Sequence, residues 1–170
     1  MNVSLAKAYK PNPLPRVLIY NAPGSSTYKM FRTKNPKQVA HMEAFPYKKN
    51  GKKHFFIGLL MAFDKKQGYG SDFIIFAKNH SKNICCGGRV MLKADTICAD
   101  PHTPPHIFYR KHGFTSDDKV ALAKIDRHIE KNIALLPENI EELLMYYEPN
   151  IKEEKQPFFK KLLTQFKSLF

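Results

Sequence analysis

Two closely spaced glycines after an apolar segment have the arrangement of an anion-binding loop. They lie in KKQGYGSD (65–72), between the apolar run 54–63 and a segment with helical periodicity. Glycine allows backbone N–H groups to converge at a helix N-terminus, where the helix dipole adds partial positive charge. The spacing predicts a pyrophosphate-binding loop or, alternatively, a tight turn into a packed helix. The loop lacks the ending of a P-loop and the third glycine of the dinucleotide fingerprint.

A second segment, HTPPHIFYRKHGF (102–114), follows further along the chain. It predicts a short helix over 104–112 that Gly113 ends. Together the two segments resemble the GNAT superfamily of N-acetyltransferases. The family pattern Q/R-x-x-G-x-G/A is similar to residues 65–70, and N-x-x-A-x-x-F-Y-x-x-x-G-F is similar to residues 102–114. Three positions depart from these patterns, since Lys65 replaces Gln or Arg, His102 replaces Asn and Pro105 replaces Ala.

The resemblance implies an acetyltransferase that passes an acetyl group from acetyl-CoA to an amine by direct attack in a ternary complex, without a metal. It implies that Tyr109 lies beside the thiol sulfur and acts as the general acid. It also implies that a bulge near Gly58 directs a backbone N–H at the thioester oxygen. The implied acetyl-CoA contacts are Met61, Ala62, Phe63, Lys65, Lys66, Gln67, Gly68, Tyr69, Gly70, Ser71, His102 and Tyr109.

The resemblance also implies a general base, which in many members of the family is a Glu, and Glu43 is the candidate because it is the only carboxylate before Asp64. His41 lies two residues earlier and therefore on the same face of a strand. The alternative interpretation is a solvent-exposed strand glutamate, or one paired with a lysine.

The segments around these residues predict an α/β fold of the α+β type. Strands are expected at 17–20, 28–33, 38–47, 53–63, 89–94 and 143–147, and helices at 71–82, 104–112 and 116–132. The first four strands form an antiparallel meander, so we expect a mixed, mainly antiparallel, GNAT-like sheet flanked by helices. The run HFFIGLLMAF (54–63) is apolar at both alternating sets of positions, which predicts a strand buried on each side. Residues 21–27 are turn formers, too few for the helices that the family usually has between its first two strands.

The length suits one domain over residues 1–150, followed by a linker and an amphipathic helix over 151–170. The helix has one apolar face and three lysines, Lys160, Lys161 and Lys167. Its apolar face would dock on its own sheet or on a partner subunit in a homodimer, or bind a membrane surface. That apolar face consists of Phe158, Phe159, Leu162, Leu163, Phe166, Leu169 and Phe170.

The formal charge is +13, and residues 1–63 contain a single acid. Lys65, Lys66, Arg110 and Lys111 are expected near the phosphates of CoA. The lysine-rich first third favours an anionic acceptor or partner. A solvated basic face is the alternative, because charge informs about association rather than fold.

Neither a signal peptide nor a membrane-spanning segment is apparent in the sequence, so we expect a cytoplasmic protein. Cys85, Cys86 and Cys98 have no metal-binding spacing, which predicts reduced thiols. His102, His106 and His112 lack the other ligands of a convincing zinc site.

Two other functions remain open. One is a non-catalytic acyl-CoA-binding or interaction module, suggested by the uncertain base and the shortened acceptor side. The other is an RNA-associated acetyltransferase acting on aminoacyl-tRNA, suggested by the basic first half.

Overall fold

The computed structural model describes residues 16–31, 37–64, 67–96, 104–133 and 142–149, together with Leu135, Pro137 and Ile140. The expected C-terminal helix lies outside these residues. The described elements are β1 (Arg16–Ala22), β2 (Ser25–Phe31), β3 (Gln38–Lys49), β4 (Lys52–Ala62), α1 (Tyr69–Asn83), β5 (Val90–Asp95), α2 (Pro105–Lys111), α3 (Lys119–Glu130) and β6 (Glu142–Tyr147).

The six strands form one sheet in the order in which they occur along the chain. The first four are antiparallel, β4 and β5 are parallel, and β6 is antiparallel to β5. Helix α1 makes the connection that a parallel pair requires. This confirms the mixed, mainly antiparallel sheet flanked by helices.

The turn between β1 and β2 is shorter than the sequence suggests. Pairing continues to Ala22 and Ser25, so only Pro23 and Gly24 form the turn, with Gly24 at a φ of 83°. The expected turn over 21–27 was therefore too long. Side-chain pairing across the hairpin extends strand structure through residues that favour turns in isolation.

The core lies on one face of the sheet. Tyr28, Met42 and Phe55 point to this face, and the Phe55 ring is 5.4 Å from the His80 ring of α1. Lys78 of α1 donates a hydrogen bond of 2.6 Å to the His112 carbonyl at the end of α2. Helix α1 and helix α2 therefore lie on the same side, and α3 packs against α2.

The opposite face, which we call the open face, is not covered by any of the described helices. Strand β4 was expected to be buried on both sides. This holds at His54 and Phe55, which are both buried, but it is wrong beyond the bulge, where Leu59 and Met61 are exposed because the helices gather on the other side. The open face has exposed large apolar side chains on four of its six strands. They are Leu18 (48% exposed), Tyr20 (50%), Tyr47 (47%), Leu59 (36%), Met61 (42%) and Leu144 (36%).

Within the described residues, no helix has the length and apolar composition needed to cross a membrane. Cys85 is exposed, Cys86 is buried and both are free thiols. Cys98 lies outside the described residues.

A bidentate ion pair holds α2 against α3. Arg110 donates hydrogen bonds of 2.6 and 2.8 Å to the two carboxylate oxygens of Asp126, and a third of 3.0 Å to the Phe114 carbonyl. The hydrogen bonds from Arg110 lower the pKa of Asp126. Arg110 was expected near the phosphates of CoA, but its guanidinium is already used to hold these helices together.

We expect Asp126→Asn to lower the free energy of unfolding by about 1 kcal/mol, because it removes a charge-assisted pair that is partly exposed. Urea denaturation at pH 7 measures this loss. Since the pKa of Asp126 is lowered in the folded state, the difference from wild type should shrink as the pH falls below about 4. Glu130→Gln on the same helix is the matched control, and an equal loss in both variants would contradict the role of the pair.

Candidate active site

A gap between two parallel strands dominates the site. Strand β4 pairs with β5 only through Phe55, Ile57 and the residue between them. Strand β4 continues to Ala62 and β5 continues to Asp95, and neither extension pairs with the other strand. Ligands of open α/β sheets bind beyond the carboxyl ends of parallel strands where the strand order or direction changes. The gap lies at such an end.

A bulge at Gly58 reorients the part of β4 that borders the gap. Ala44 of β3 pairs with Ile57, and Glu43 pairs with Leu59, so Gly58 is left without a partner. The extra residue exchanges the two faces of the strand from that point onward. Leu60 therefore packs on the core, whereas Leu59 and Met61 are exposed. The bulge expected near Gly58 is confirmed.

The backbone of β4 presents alternate residues to the gap. The Phe63 amide donates a hydrogen bond of 2.9 Å to the Val39 carbonyl, so this amide points toward β3. In an antiparallel ladder the hydrogen-bonding groups of neighbouring residues point in opposite directions. Backbone groups of Leu60 and Ala62 therefore point toward β5, while those of Met61 point toward β3. Of the three residues expected to contact pantetheine, Ala62 has the required orientation.

The chain turns from β4 into α1 through the glycine loop. Gly68 has a φ of 85° and precedes the helix, and its carbonyl accepts a hydrogen bond of 3.0 Å from Asp72. The amides of the first helical turn lack partners within the helix, which is the usual basis of anion binding there. Lys65 and Lys66 lie outside the described residues. Burial raises the pKa of the Asp72 carboxyl in the same turn.

Helix α2 packs against this helix start. A Cβ on Gly70 would lie 3.3 Å from the Phe108 ring, so the glycine permits the close approach. Tyr109, the next residue, is buried with 8% of its surface exposed. Burial, and secondarily the Asp95 carboxylate, raise the pKa of Tyr109 to about 12. The Tyr109 hydroxyl therefore stays protonated at neutral pH.

Glu43 lies on the other side of the sheet from Tyr109. It is exposed on the open face beside the bulge, and its Oε1 is 3.2 Å from Nε2 of His41. The expectation that His41 and Glu43 share a strand face is confirmed. The structure does not bring Glu43 and Tyr109 together on one face, so a group that contacts both must use the gap.

His106 is a buried residue near the site that the sequence did not single out as functional. It is fully buried one helical turn before Tyr109, and neither ring nitrogen has a hydrogen-bond partner among the described residues. Burial lowers the pKa of His106, while the Ala94 backbone and the Asp95 carboxylate act in the opposite direction. Only its spacing of three residues from Tyr109 hinted at a shared helix face. His102, the expected cofactor contact, lies outside the described residues.

Because its folded-state pKa is lowered, His106 should make the fold sensitive to acid. The unfolded chain binds a proton near pH 6.5, whereas the folded chain does so only at lower pH, so stability falls as the pH drops below about 6.5. We expect His106→Leu to reduce this loss, because an apolar side chain takes up no proton. At pH 7.5 its stability should stay within about 1 kcal/mol of wild type, since the ring nitrogens of His106 have no hydrogen-bond partner in the part of the chain that the structure describes.

Urea midpoints at pH 7.5 and 5.5 measure the effect. His128→Leu on α3 is the control, because it leaves His106 in place. A wild-type loss between the two pH values that equals that of His106→Leu would refute the assignment.

No protein-family model matches the chain, and a search of curated proteins returns no match. Among solved structures the chain is similar to a mutant of the AtaT toxin bound to the C-terminus of the antitoxin AtaR and acetyl-CoA. The two are 16% identical, the match covers 72% of this chain and 67% of that chain, and the TM-score is 0.37. These values do not assign a family, so the function proposed below rests on the residues of this chain.

Proposed function

We propose that the protein is an acetyl-CoA-dependent N-acetyltransferase in which the gap between β4 and β5 holds the reacting groups. The observation that carries the proposal is the convergence of three features at this gap. They are a strand edge that does not pair with β5 beyond Ile57, a glycine-opened helix start, and a buried tyrosine on the side of the helices. Exposed Glu43 lies on the open face, on β3 opposite Leu59 of β4.

The residues at the gap fit an acyl-CoA. A Cβ on Gly68 would meet nothing within 4 Å, so the loop backbone is approachable there. Gln67, Gly68, Tyr69, Gly70 and Ser71 would hold the pyrophosphate through backbone amides, flanked in sequence by Lys65 and Lys66. The amides of an extended arm would add to the free edge at Ala62 in the manner of an extra strand. When bound, acetyl-CoA supplies the activated acetyl group.

The chain's own groups support attack by an amine. The bulge at Gly58 sets the orientation of the strand after it, so that the Leu60 N–H, which points toward β5, would act where negative charge develops on the thioester oxygen. Since the pKa of Tyr109 is about 12, its hydroxyl would act as a hydrogen-bond donor to the departing sulfur rather than as a strong acid. Glu43, oriented by His41, would accept the proton of the attacking amine from the open face.

Tyr109 lies on the helix side of the sheet and Glu43 on the open face. This placement predicts that the cofactor and the acceptor approach from opposite sides of the sheet. Lys29 lies opposite His41 in the strand pairing, so the acceptor side also carries a cation near the candidate base. A cation there favours an acceptor amine that has an anionic group elsewhere in the molecule. The runner-up function is a non-catalytic acyl-CoA-binding module, which the burial of Tyr109 favours.

We expect Gly68→Ala to weaken CoA binding about tenfold, because a left-handed backbone with a side chain costs about 1–2 kcal/mol and the loop would shift to relieve it. Calorimetric titration with CoA measures the affinity. Gly24→Ala is the matched control, since Gly24 has nearly the same φ of 83° and equally open surroundings in the β1–β2 turn. Absence of CoA binding by wild type at millimolar ligand would reject the function.

Two conservative variants test the chemistry on either side of the gap. Tyr109→Phe and Glu43→Gln should each lower kcat by about 10²-fold or more while CoA affinity stays unchanged. Release of the CoA thiol in the presence of a panel of amines, some with an anionic group, measures turnover. Glu142→Gln on β6 is the control. Binding of CoA without turnover on any amine would instead support the non-catalytic module.

A further inference from the structure

The open face needs a partner that the described residues do not supply. Its six exposed apolar side chains extend from Leu18 on β1 to Leu144 on β6. Phe45 and Phe56 add a pair of rings 5.1 Å apart between them. Apolar patches that span a whole face are rare on monomeric proteins and mark surfaces that bind something.

The sequence also predicts one apolar helix face near the end of the chain, which has no assigned partner. Residues 157–170 place four phenylalanines and three leucines at helical spacing, with Lys160, Lys161 and Lys167 on the other side. A helix of this length would be about 21 Å long, close to the width of about 24 Å expected for six strands.

We infer that residues 157–170 dock as an amphipathic helix on the open face of their own sheet. The described chain ends just after β6, where Glu148 joins Lys52, His54 and Tyr146 in lining a shallow cleft on the open face. The seven intervening residues can span about 23 Å, which is close to the width of the sheet.

The covalent connection favours this occupant over a second molecule. A short linker holds the segment at an effective concentration in the millimolar range. When the apolar side faces the sheet, the three lysines of the segment point to solvent and away from Lys29 and Lys93 on the open face. The docking therefore brings no like charges together. Leu59 and Met61 lie on this face beside Glu43, so the segment would also border the acceptor side, a consequence that rests on the proposed function.

The chain contains no tryptophan, so one introduced residue reports on the segment alone. In the full chain, Phe166→Trp should give blue-shifted fluorescence that acrylamide quenches weakly, and Phe159→Trp should do the same nearer the start of the segment. Thr164→Trp, on the polar side of the same segment, is the matched control and should fluoresce as an exposed residue. Circular dichroism confirms that each variant is folded.

A second substitution locates the docking surface. Tyr47→Glu on the open face should shift the Phe166→Trp emission to the red, whereas Val120→Glu on α3, which is 70% exposed, should leave it unchanged. An exposed-type emission of Phe166→Trp, or an emission indifferent to Tyr47→Glu, would overturn the inference. A blue shift lost on dilution together with a dimeric mass would assign the face to a second copy. A blue shift that needs vesicles of anionic lipid would assign the segment to a membrane surface.

Discussion

Three residue pairs of parallel sheet hold β4 and β5 together, and the rest of the site depends on how short that pairing is. A longer ladder would close the sheet and occupy the backbone groups of Leu60 and Ala62. The connection through α1 would then end on a continuous surface, with its first turn facing no opening. Because pairing stops after Ile57, one strand edge and one helix start border the same gap. The bulge at Gly58 supports this divergence, since an unpaired residue bends its strand and increases the local twist.

The order and type of the elements could be predicted from local signals in the sequence. Turn residues separate the strands of the meander, Gly113 follows α2, and Asp118 begins α3 by accepting a hydrogen bond of 2.9 Å from the Ala121 amide. The bulge was one of two interpretations of the isolated glycine in an apolar strand, the other being a close backbone approach. The expected helix start at 116 was three residues early, since Ser116, Asp117 and the capping residue Asp118 precede the helix.

What could not be predicted depends on contacts between distant segments. The side on which Leu59 lies follows from the strand pairing across the bulge, which periodicity alone does not reveal. The pairing of Arg110 with Asp126 requires that α2 and α3 be neighbours. The charge distribution on the folded protein also depends on contacts between distant segments. Lysines of the basic first half meet acids of the second half, as Lys49 does with Asp117 and Lys52 with Glu148, so the front half is less isolated electrostatically than its sequence suggests.

The bulge also limits how this strand can change in evolution. A Cβ on Gly58 would lie 3.8 Å from the Glu43 carbonyl, an ordinary contact, so the position tolerates a slightly larger residue. The number of residues in β4 is constrained more strongly than their identity. Deleting one residue between Ile57 and Leu59 would turn Leu60 outward and Leu59 and Met61 into the core, whereas most single substitutions there would leave the faces intact. Homologous chains should therefore differ in side chains along this strand while keeping its length.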